Sequence, residues 1–161
     1  MPKISVRPLT PGDQGWARRL LVERWGSVEM VSRGRRRRAD RLPGFVAVCH
    51  GRRLGLATYH VSGAACELVT LDSLESNIGA GTALVLAVLQ AAKSAGCQRV
   101  WLITTNDNLP ALRFYQKRGF TLVAVHADAL EASRRLKPEI PRTGLDGVPL
   151  RDEIELQYLL K

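Results

Sequence analysis

The sequence predicts a mixed α/β fold. Short apolar runs with the alternation of half-buried strands are separated by glycine- and proline-containing turns, and longer stretches with helical spacing lie between them. One strand–helix–strand unit occupies the centre of the chain. The 161 residues and their 45% hydrophobic content suffice for one continuous core, so we expect residues 1–161 to form a single domain.

In the first half of the chain, strands are predicted where apolar residues alternate, and a helix where a Thr-Pro pair precedes apolar residues at helical spacing. Two apolar runs joined around Gly51 are typical of a hairpin. The predicted elements are a strand over 4–9, a helix from Thr10 toward Arg24, a hairpin over 44–61 and a strand over 65–74.

The second half begins with a glycine-containing loop and a long apolar helix that ends near Gly96. A second helix is predicted after Asn108, which is suited to cap it, with Pro110 in its first turn and Gly119 as its stop. Strands are predicted over 99–105, 120–127 and 153–160, and residues 136–152 are predicted as loop.

Positive charge is concentrated in the arginine run, residues 33–41, with the sequence RGRRRRADR. Its six arginines and one aspartate supply five of the nine net positive charges of the chain. We expect a solvated loop that steers anionic ligands. A surface for an acidic partner and a contact with nucleic acid stay open as alternatives, although no interleaved aromatic residue is present to stack bases.

Cysteine, histidine and hydropathy patterns exclude several classes of protein. Cys49, Cys66 and Cys97 are far apart and form no C-x-x-C pair, so we expect buried reduced thiols. The three histidines show no metal-ligand spacing, and no metal is expected. Because there is neither a signal peptide nor an apolar stretch of about 18 residues, the sequence predicts a soluble, cytoplasmic protein without a membrane partner.

The loop SNIGAG, residues 76–81, joins a predicted strand to the long helix. The first amides of a helix have no internal acceptor and carry the positive end of its dipole, so such a junction binds phosphate well. The loop lacks the third glycine of the dinucleotide-binding fingerprint and the Gly-Lys-Ser/Thr of a Walker loop. The residues alone leave open which phosphate binds, or whether the glycines serve only a tight turn.

Asn108 and Tyr115 lie seven residues apart, which brings them within about 20° of one another on a helix face. Beside a phosphate-binding loop, a tyrosine with an ordinary pKa of about 10 is suited to protonate a leaving thiolate. The alternative is a half-buried tyrosine that packs with Phe114 and Phe120.

At these two motifs the chain resembles the GNAT superfamily of acyl-CoA-dependent N-acyltransferases. The family's phosphate loop, Gln/Arg-x-x-Gly-x-Gly/Ala, matches at Gly79 and Gly81, whereas Ser76 stands where a long polar side chain is usual. The family's later helix, Asn-x-x-Ala-x-x-Phe/Leu-Tyr-x-x-x-Gly-Phe, matches NLPALRFYQKRGF throughout, at Asn108, Ala111, Phe114, Tyr115, Gly119 and Phe120.

The resemblance implies a mixed, mostly antiparallel central sheet of about six to seven strands with flanking helices. It also implies acetyl-CoA as co-substrate, with its pyrophosphate cradled by backbone amides of 78–82 and its pantetheine arm paired with the strand through 71–74. The implied cofactor-binding residues are Leu71, Ser73, Leu74, Ile78, Gly79, Ala80, Gly81, Thr82, Asn108, Ala111, Phe114, Tyr115 and Lys117.

The reaction implied by the resemblance is attack of a neutral primary amine on the thioester through a tetrahedral intermediate, with Tyr115 protonating the departing thiolate. A base must first take a proton from the ammonium. Glu67 is the first candidate, because carboxylates on the strand before the loop often serve in the family, and Asp72 and Glu75 come next. The alternative for Glu67 is an ordinary solvent-facing strand residue.

The acceptor amine is not named by any motif, and its binding residues are expected from the first helix, the arginine run and the C-terminal strands. Two other functions stay open. One is an acyl-CoA-binding sensor without turnover, which Ser76 suggests, and the other is a nucleic-acid-associated protein with a GNAT core, which the arginine run suggests. A homodimer is a further open alternative.

Overall fold

The computed structural model describes residues 3–75 and 78–161, which form strands and helices in alternation. The strands are β1 (Ser5–Pro8), β2 (Glu29–Ser32), β3 (Arg35–Arg38), β4 (Gly44–Cys49), β5 (Arg52–Ser62), β6 (Ala65–Ser73), β7 (Arg99–Thr105), β8 (Thr121–His126) and β9 (Glu153–Leu159). The helices are α1 (Gln14–Trp25), α2 (Ala80–Ser94), α3 (Leu109–Lys117) and α4 (Ala129–Leu136).

Seven of the strands form one sheet in the order β1-β4-β5-β6-β7-β9-β8, and β2 and β3 form a separate two-stranded hairpin. Every pairing in the large sheet is antiparallel except that of β6 with β7, which are connected through α2. A parallel pair requires a crossover of this kind, because the chain must return to the same end of the sheet. The predicted mixed, mostly antiparallel sheet of about six to seven strands is confirmed.

The parallel strands β6 and β7 separate after a short paired region. Only three residue pairs join them, from Ala65↔Arg99 to Glu67↔Trp101, although β6 continues to Ser73 and β7 to Thr105. In addition, β6 carries a bulge, since Thr70 pairs with Thr58 and Leu68 pairs with Tyr59, which leaves Val69 as the extra residue. A wedge-shaped opening with unpaired strand edges therefore lies in the middle of the sheet.

Helices cover both faces of the sheet and bury its core. On one face, α2 packs through Leu84, Val85 and Val88 in a cluster that also contains Tyr115 and Phe120. On the other face, α1 packs through Leu20 and Leu21 against Leu56 of β5. The opening between β6 and β7 thus connects two differently covered faces.

The arginine run, predicted as a solvated loop, forms a β-hairpin in which residues 33–36 are exposed. Arg33 and Gly34 both have positive φ, 50° and 71°, which is the geometry of a two-residue hairpin turn, and Ser32 pairs with Arg35 on either side of it. Four consecutive arginines show no alternation of apolar and polar residues, so the strand signal was absent from the sequence. Two arginines of β3 bond to other elements of the fold, Arg36 to the carbonyl of Leu136 and Arg37 to Glu67.

Helix α4 was not predicted, and it precedes the long C-terminal loop. It begins after Asp128, whose φ is 59°, and its residues Leu130 and Ser133 are buried. The other predicted elements lie within one or two residues of their observed bounds, apart from the first helix, whose start is a short 3₁₀ turn over Pro11–Asp13.

Cys49, Cys66 and Cys97 are buried free thiols, as expected. Within the described residues, no helix is both long enough and apolar enough to cross a membrane.

Candidate active site

The glycine loop meets α2 at Gly79, the residue before its first turn. Gly79 has a φ of 87°, a left-handed conformation that favours glycine, and a Cβ built there would meet no atom within 4 Å. At Gly81 glycine is favoured for lack of space, because a Cβ there would come within 3.2 Å of the Phe114 ring. Ser76, the unusual first position of the motif, lies outside the described residues.

Arg118 places a positive charge beside the first turn of α2. Its Nε donates to Thr82 Oγ1 at 2.8 Å, its Nη1 donates to the carbonyl of Phe114 at 2.9 Å, and its guanidinium lies 3.7 Å from the centre of the Phe114 ring. The neighbouring Lys117, one of the implied cofactor-binding residues, is exposed, and its side chain makes no hydrogen bond or ion pair with the described residues. The sequence analysis did not select Arg118, because its contact with Thr82 joins residues 36 positions apart and forms only in the folded protein.

The remaining residues implied for the donor lie between this turn and the opening of the sheet. Leu71 and Ile78 pack against the core of the α2 face, and Ala80 is buried. Ser73 ends β6 and donates from Oγ to the carbonyl of Glu75 at 2.9 Å. The Leu74 amide is already bonded to the carbonyl of Leu54 at 2.8 Å, so the open edge of β6 extends only to Ser73.

Asn108 and Tyr115 were predicted to share one face of a helix, but in the structure their side chains lie in different environments on opposite faces of the sheet. Asn108 is the N-cap of α3, where its Oδ1 accepts from the amide of Ala111 at 3.2 Å, and it also lines a cleft on the α1 face. Tyr115 lies on the α2 face, edge-to-face with Phe114 and Phe120 at centroid distances of 5.2 Å and 5.4 Å. The opening between β6 and β7 is the route by which the two faces connect.

Burial keeps the Tyr115 hydroxyl protonated. The side chain is 8% exposed, and burial, together with the negative charge of Asp72, raises the pKa of Tyr115 well above its usual range. A tyrosine with a raised pKa can donate a proton but does not ionise at neutral pH.

A cleft of ≈ 560 Å³ lies on the α1 face of the opening. Each of the three regions expected to supply acceptor residues contributes to it, with Trp25 from the end of the first helix, Arg37 from the arginine run and Glu153 from the C-terminal strands. Its main lining residues are Trp25, Met30, Val31, Arg37, Glu67, Val69, Ile103, Thr105, Asn108, Leu130, Ile140, Leu150 and Glu153.

Glu67 lies in this cleft as one half of a buried ion pair. Its Oε1 accepts from Arg37 Nε at 2.8 Å, and the two side chains are 7% and 17% exposed. Burial raises the pKa of Glu67, and the charge and hydrogen bond of Arg37 partly oppose this effect. The alternative of an ordinary solvent-facing strand residue is wrong for Glu67, because the hairpin covers the strand at this position.

Asp72 is a second buried carboxylate near the opening. Trp25 Nε1 donates to its Oδ2 at 3.0 Å, and burial raises the pKa of Asp72 above the ordinary aspartate value. Glu75 is more exposed, with 48% of its side chain accessible, and lies 3.8 Å from Arg52. Of the three candidate bases, Glu67 is the one that lines the cleft.

Glu153 is a cleft residue that the sequence analysis did not select. It is 2% exposed, accepts from the backbone amide of Arg33 at 3.0 Å, and accepts from Ser133 Oγ at 3.1 Å. The only sequence signal was a glutamate at the start of an alternating strand, which is ordinary at a solvent-facing position.

The comparisons with known proteins agree with this geometry. A sequence profile described as "Acetyltransferase (GNAT) family" matches residues 14–120. The chain belongs to the GNAT acetyltransferase family. Among curated relatives of this GNAT protein, the uncharacterised YdhI of Bacillus subtilis (strain 168) is 49% identical over 134 residues, which cover 83% of this chain and 84% of the relative.

Two solved acetyltransferases have the same fold as this GNAT chain at low sequence identity. A GNAT family acetyltransferase from Elizabethkingia anophelis, solved with acetyl-CoA bound, has a TM-score of 0.70 at 18% identity and covers 98% of both chains. A Bacillus subtilis acetyltransferase in complex with CoA has a TM-score of 0.69 at 19% identity and covers 100% of both chains.

Proposed function

We propose that this protein is an N-acetyltransferase that moves the acetyl group of acetyl-CoA to a primary amine. The observation that supports it most is the opening between β6 and β7, which lies between the start of α2 with Arg118 on one side and a carboxylate-lined cleft on the other. Family membership and solved relatives that hold acetyl-CoA or CoA support the same assignment.

The donor is held by residues of the α2 face. Acetyl-CoA supplies an activated thioester and an anionic phosphate end. Backbone amides over 78–82 and the Arg118 guanidinium offer donors to phosphate, because helix starts and guanidinium groups both bind phosphate oxygens. The unpaired edge of β6, up to Ser73, offers backbone partners to the extended arm. No step requires a metal ion.

The proton transfers use groups on opposite faces of the opening. Glu67 takes a proton from the incoming ammonium, either directly or through water, and the neutral nitrogen then forms a bond to the carbonyl carbon of the thioester. The bulge at Val69 offers a backbone N–H to the oxygen that becomes negative. The carbon–sulfur bond then breaks, and Tyr115 gives its hydroxyl proton to the thiolate. The acylated nitrogen loses its remaining extra proton to water, and a proton from water restores the Tyr115 hydroxyl.

The decisive experiment measures thiol release from acetyl-CoA in the presence of amine panels. Tyr115→Phe keeps the aromatic contacts and removes only the hydroxyl, so we expect kcat to fall about 10²–10⁴-fold while the Kd for acetyl-CoA barely changes. Tyr158→Phe is a matched control, because it removes the same hydroxyl from another tyrosine that packs on Phe120. Binding of acetyl-CoA without transfer to any amine would instead identify a sensor without turnover.

A further inference from the structure

The arginine hairpin, residues 29–38, is the strongest feature of the sequence that the proposed reaction does not explain. A run of this charge usually indicates a solvated surface. Here several of the arginines bond to other groups of the molecule. Arg37 pairs with Glu67, Arg38 pairs with Asp40 at 2.8 Å, and Arg36 donates from Nη2 to the carbonyl of Leu136 at 3.0 Å.

The hairpin is fastened at several points along its length. At its tip, the amide of Arg33 donates to Glu153 of β9. At its base, Lys137 Nζ donates to the carbonyl of Glu29 at 3.1 Å and to that of Trp25 at 3.0 Å. Since Arg36 bonds the end of α4 and Lys137 follows directly, the hairpin and the C-terminal loop, residues 137–150, are joined to each other above the cleft.

The cleft beneath the joined hairpin and C-terminal loop has the size and chemistry of a small-molecule site. Its volume of ≈ 560 Å³ falls within the range of about 300–1,000 Å³ that is usual for such sites. Its walls are largely apolar, with Met30 and Val31 from the hairpin and Ile140 and Leu150 from the C-terminal segment. An extended peptide would pair with an open strand edge, and the proposed reaction assigns the open edge of β6 to the arm of acetyl-CoA.

The polar groups in the cleft favour a cationic ligand. Glu67 and Glu153 are nearly fully buried yet line the cavity. Arg37 is paired with Glu67, Lys137 donates to two carbonyl groups, and Glu153 lies 3.8 Å from Arg33. The other charged lining residues, Arg24 and Glu139, are exposed, so the buried charges that face the cavity are mainly carboxylates. An amine arrives mostly as an ammonium ion, since its ordinary pKa is about 10.4, and carboxylates on an otherwise apolar wall attract it.

We infer that the arginine hairpin and the C-terminal loop together select the acceptor, and that this acceptor is a small primary amine with an apolar body. This inference rests on the proposed acetyl transfer and goes beyond it by naming the substrate class. Arg36 and Arg37 of the run contribute to acceptor selection, because their bonds to Leu136 and Glu67 hold the hairpin over the cleft.

The test compares acceptor classes and one cleft variant by thiol release from acetyl-CoA. Phenethylamine and related small apolar amines form one arm, and peptides with free N-termini and internal lysines form the other. Val31→Phe adds a ring to the cleft from the hairpin side, and Val125→Phe makes the same change at an exposed position of β8. We expect transfer to the small amines, with KM raised about tenfold or more in Val31→Phe alone, and an unchanged Kd for acetyl-CoA.

Each other outcome decides a separate point. Transfer to peptides but not to small amines overturns the inference and leaves acetyl transfer standing. An unchanged KM for phenethylamine in a folded Val31→Phe variant places the acceptor outside this cleft and also overturns it. Transfer to neither class, with acetyl-CoA bound, overturns the proposed function itself.

Discussion

Arg118 provides the sharpest test of how the donor is held. Its guanidinium is fixed by Thr82 Oγ1, by the Phe114 carbonyl and by the face of the Phe114 ring. Among residues 3–75 and 78–161, no carboxylate lies within ion-pair distance of Arg118, and the positive end of the α2 dipole is adjacent. An anion bound there would relieve this unbalanced positive charge.

Two hydrogen bonds within the protein hold the Arg118 guanidinium in place, so it can donate to a bound phosphate without further ordering. A hydrogen bond to a charged partner contributes about 1.5–3 kcal/mol. Since about 1.4 kcal/mol corresponds to a tenfold change in Kd, Arg118→Gln should weaken acetyl-CoA binding about 10- to 150-fold. Loss of the contact with Phe114 should reduce the free energy of unfolding by only about 0.5–1 kcal/mol.

Isothermal titration calorimetry with acetyl-CoA measures this effect, and Lys117→Gln is the matched control at the next, exposed position. A parallel titration with dephospho-CoA distinguishes the two phosphate sources. If Arg118 binds the pyrophosphate, its substitution weakens both ligands equally, and if it binds the 3′-phosphate, dephospho-CoA is insensitive to the substitution. Wild-type affinity in Arg118→Gln, or an equal loss in Lys117→Gln, would refute the reasoning.

Two further predictions concern the cleft and its supporting loop. Burial raises the pKa of Glu67 above the ordinary glutamate value of about 4.3, so kcat/KM should fall as the pH drops through that raised pKa. The free energy of unfolding should fall in the opposite direction, as the pH rises from the ordinary to the raised pKa, because ionised Glu67 is disfavoured in the folded protein. Glu67→Gln should abolish that limb of the pH–rate profile; a limb that persists would assign proton removal to another group. Gly144→Ala should reduce the free energy of unfolding by about 1–3 kcal/mol, since its Cβ would overlap the Asp107 carboxylate that accepts from the Leu145 amide at 2.9 Å. Urea denaturation checks this against Gly12→Ala, where a Cβ has room.

Local interactions determined what could be predicted from the sequence. The start of α3 was predicted because Asn108 caps the helix through the amide of Ala111, three residues away. The turn between β4 and β5 was predicted because two apolar runs meet around Gly51, and in the structure His50 and Gly51 both have positive φ, 51° and 75°. The glycine loop was identified in the same way, since its signal lies within six consecutive residues.

The environment of the charged residues was decided only by the tertiary structure. Whether Glu67 is buried depends on what packs over its strand, and Arg37, 30 residues away in the chain, is the group that does so. The tip of the hairpin bonds Glu153 across 120 residues, and no spacing pattern reports such a contact. Burial and ion pairing depend on which residues lie close together in three dimensions. The same arginine run could therefore form an exposed loop or cover a cleft, and the sequence pattern does not distinguish the two.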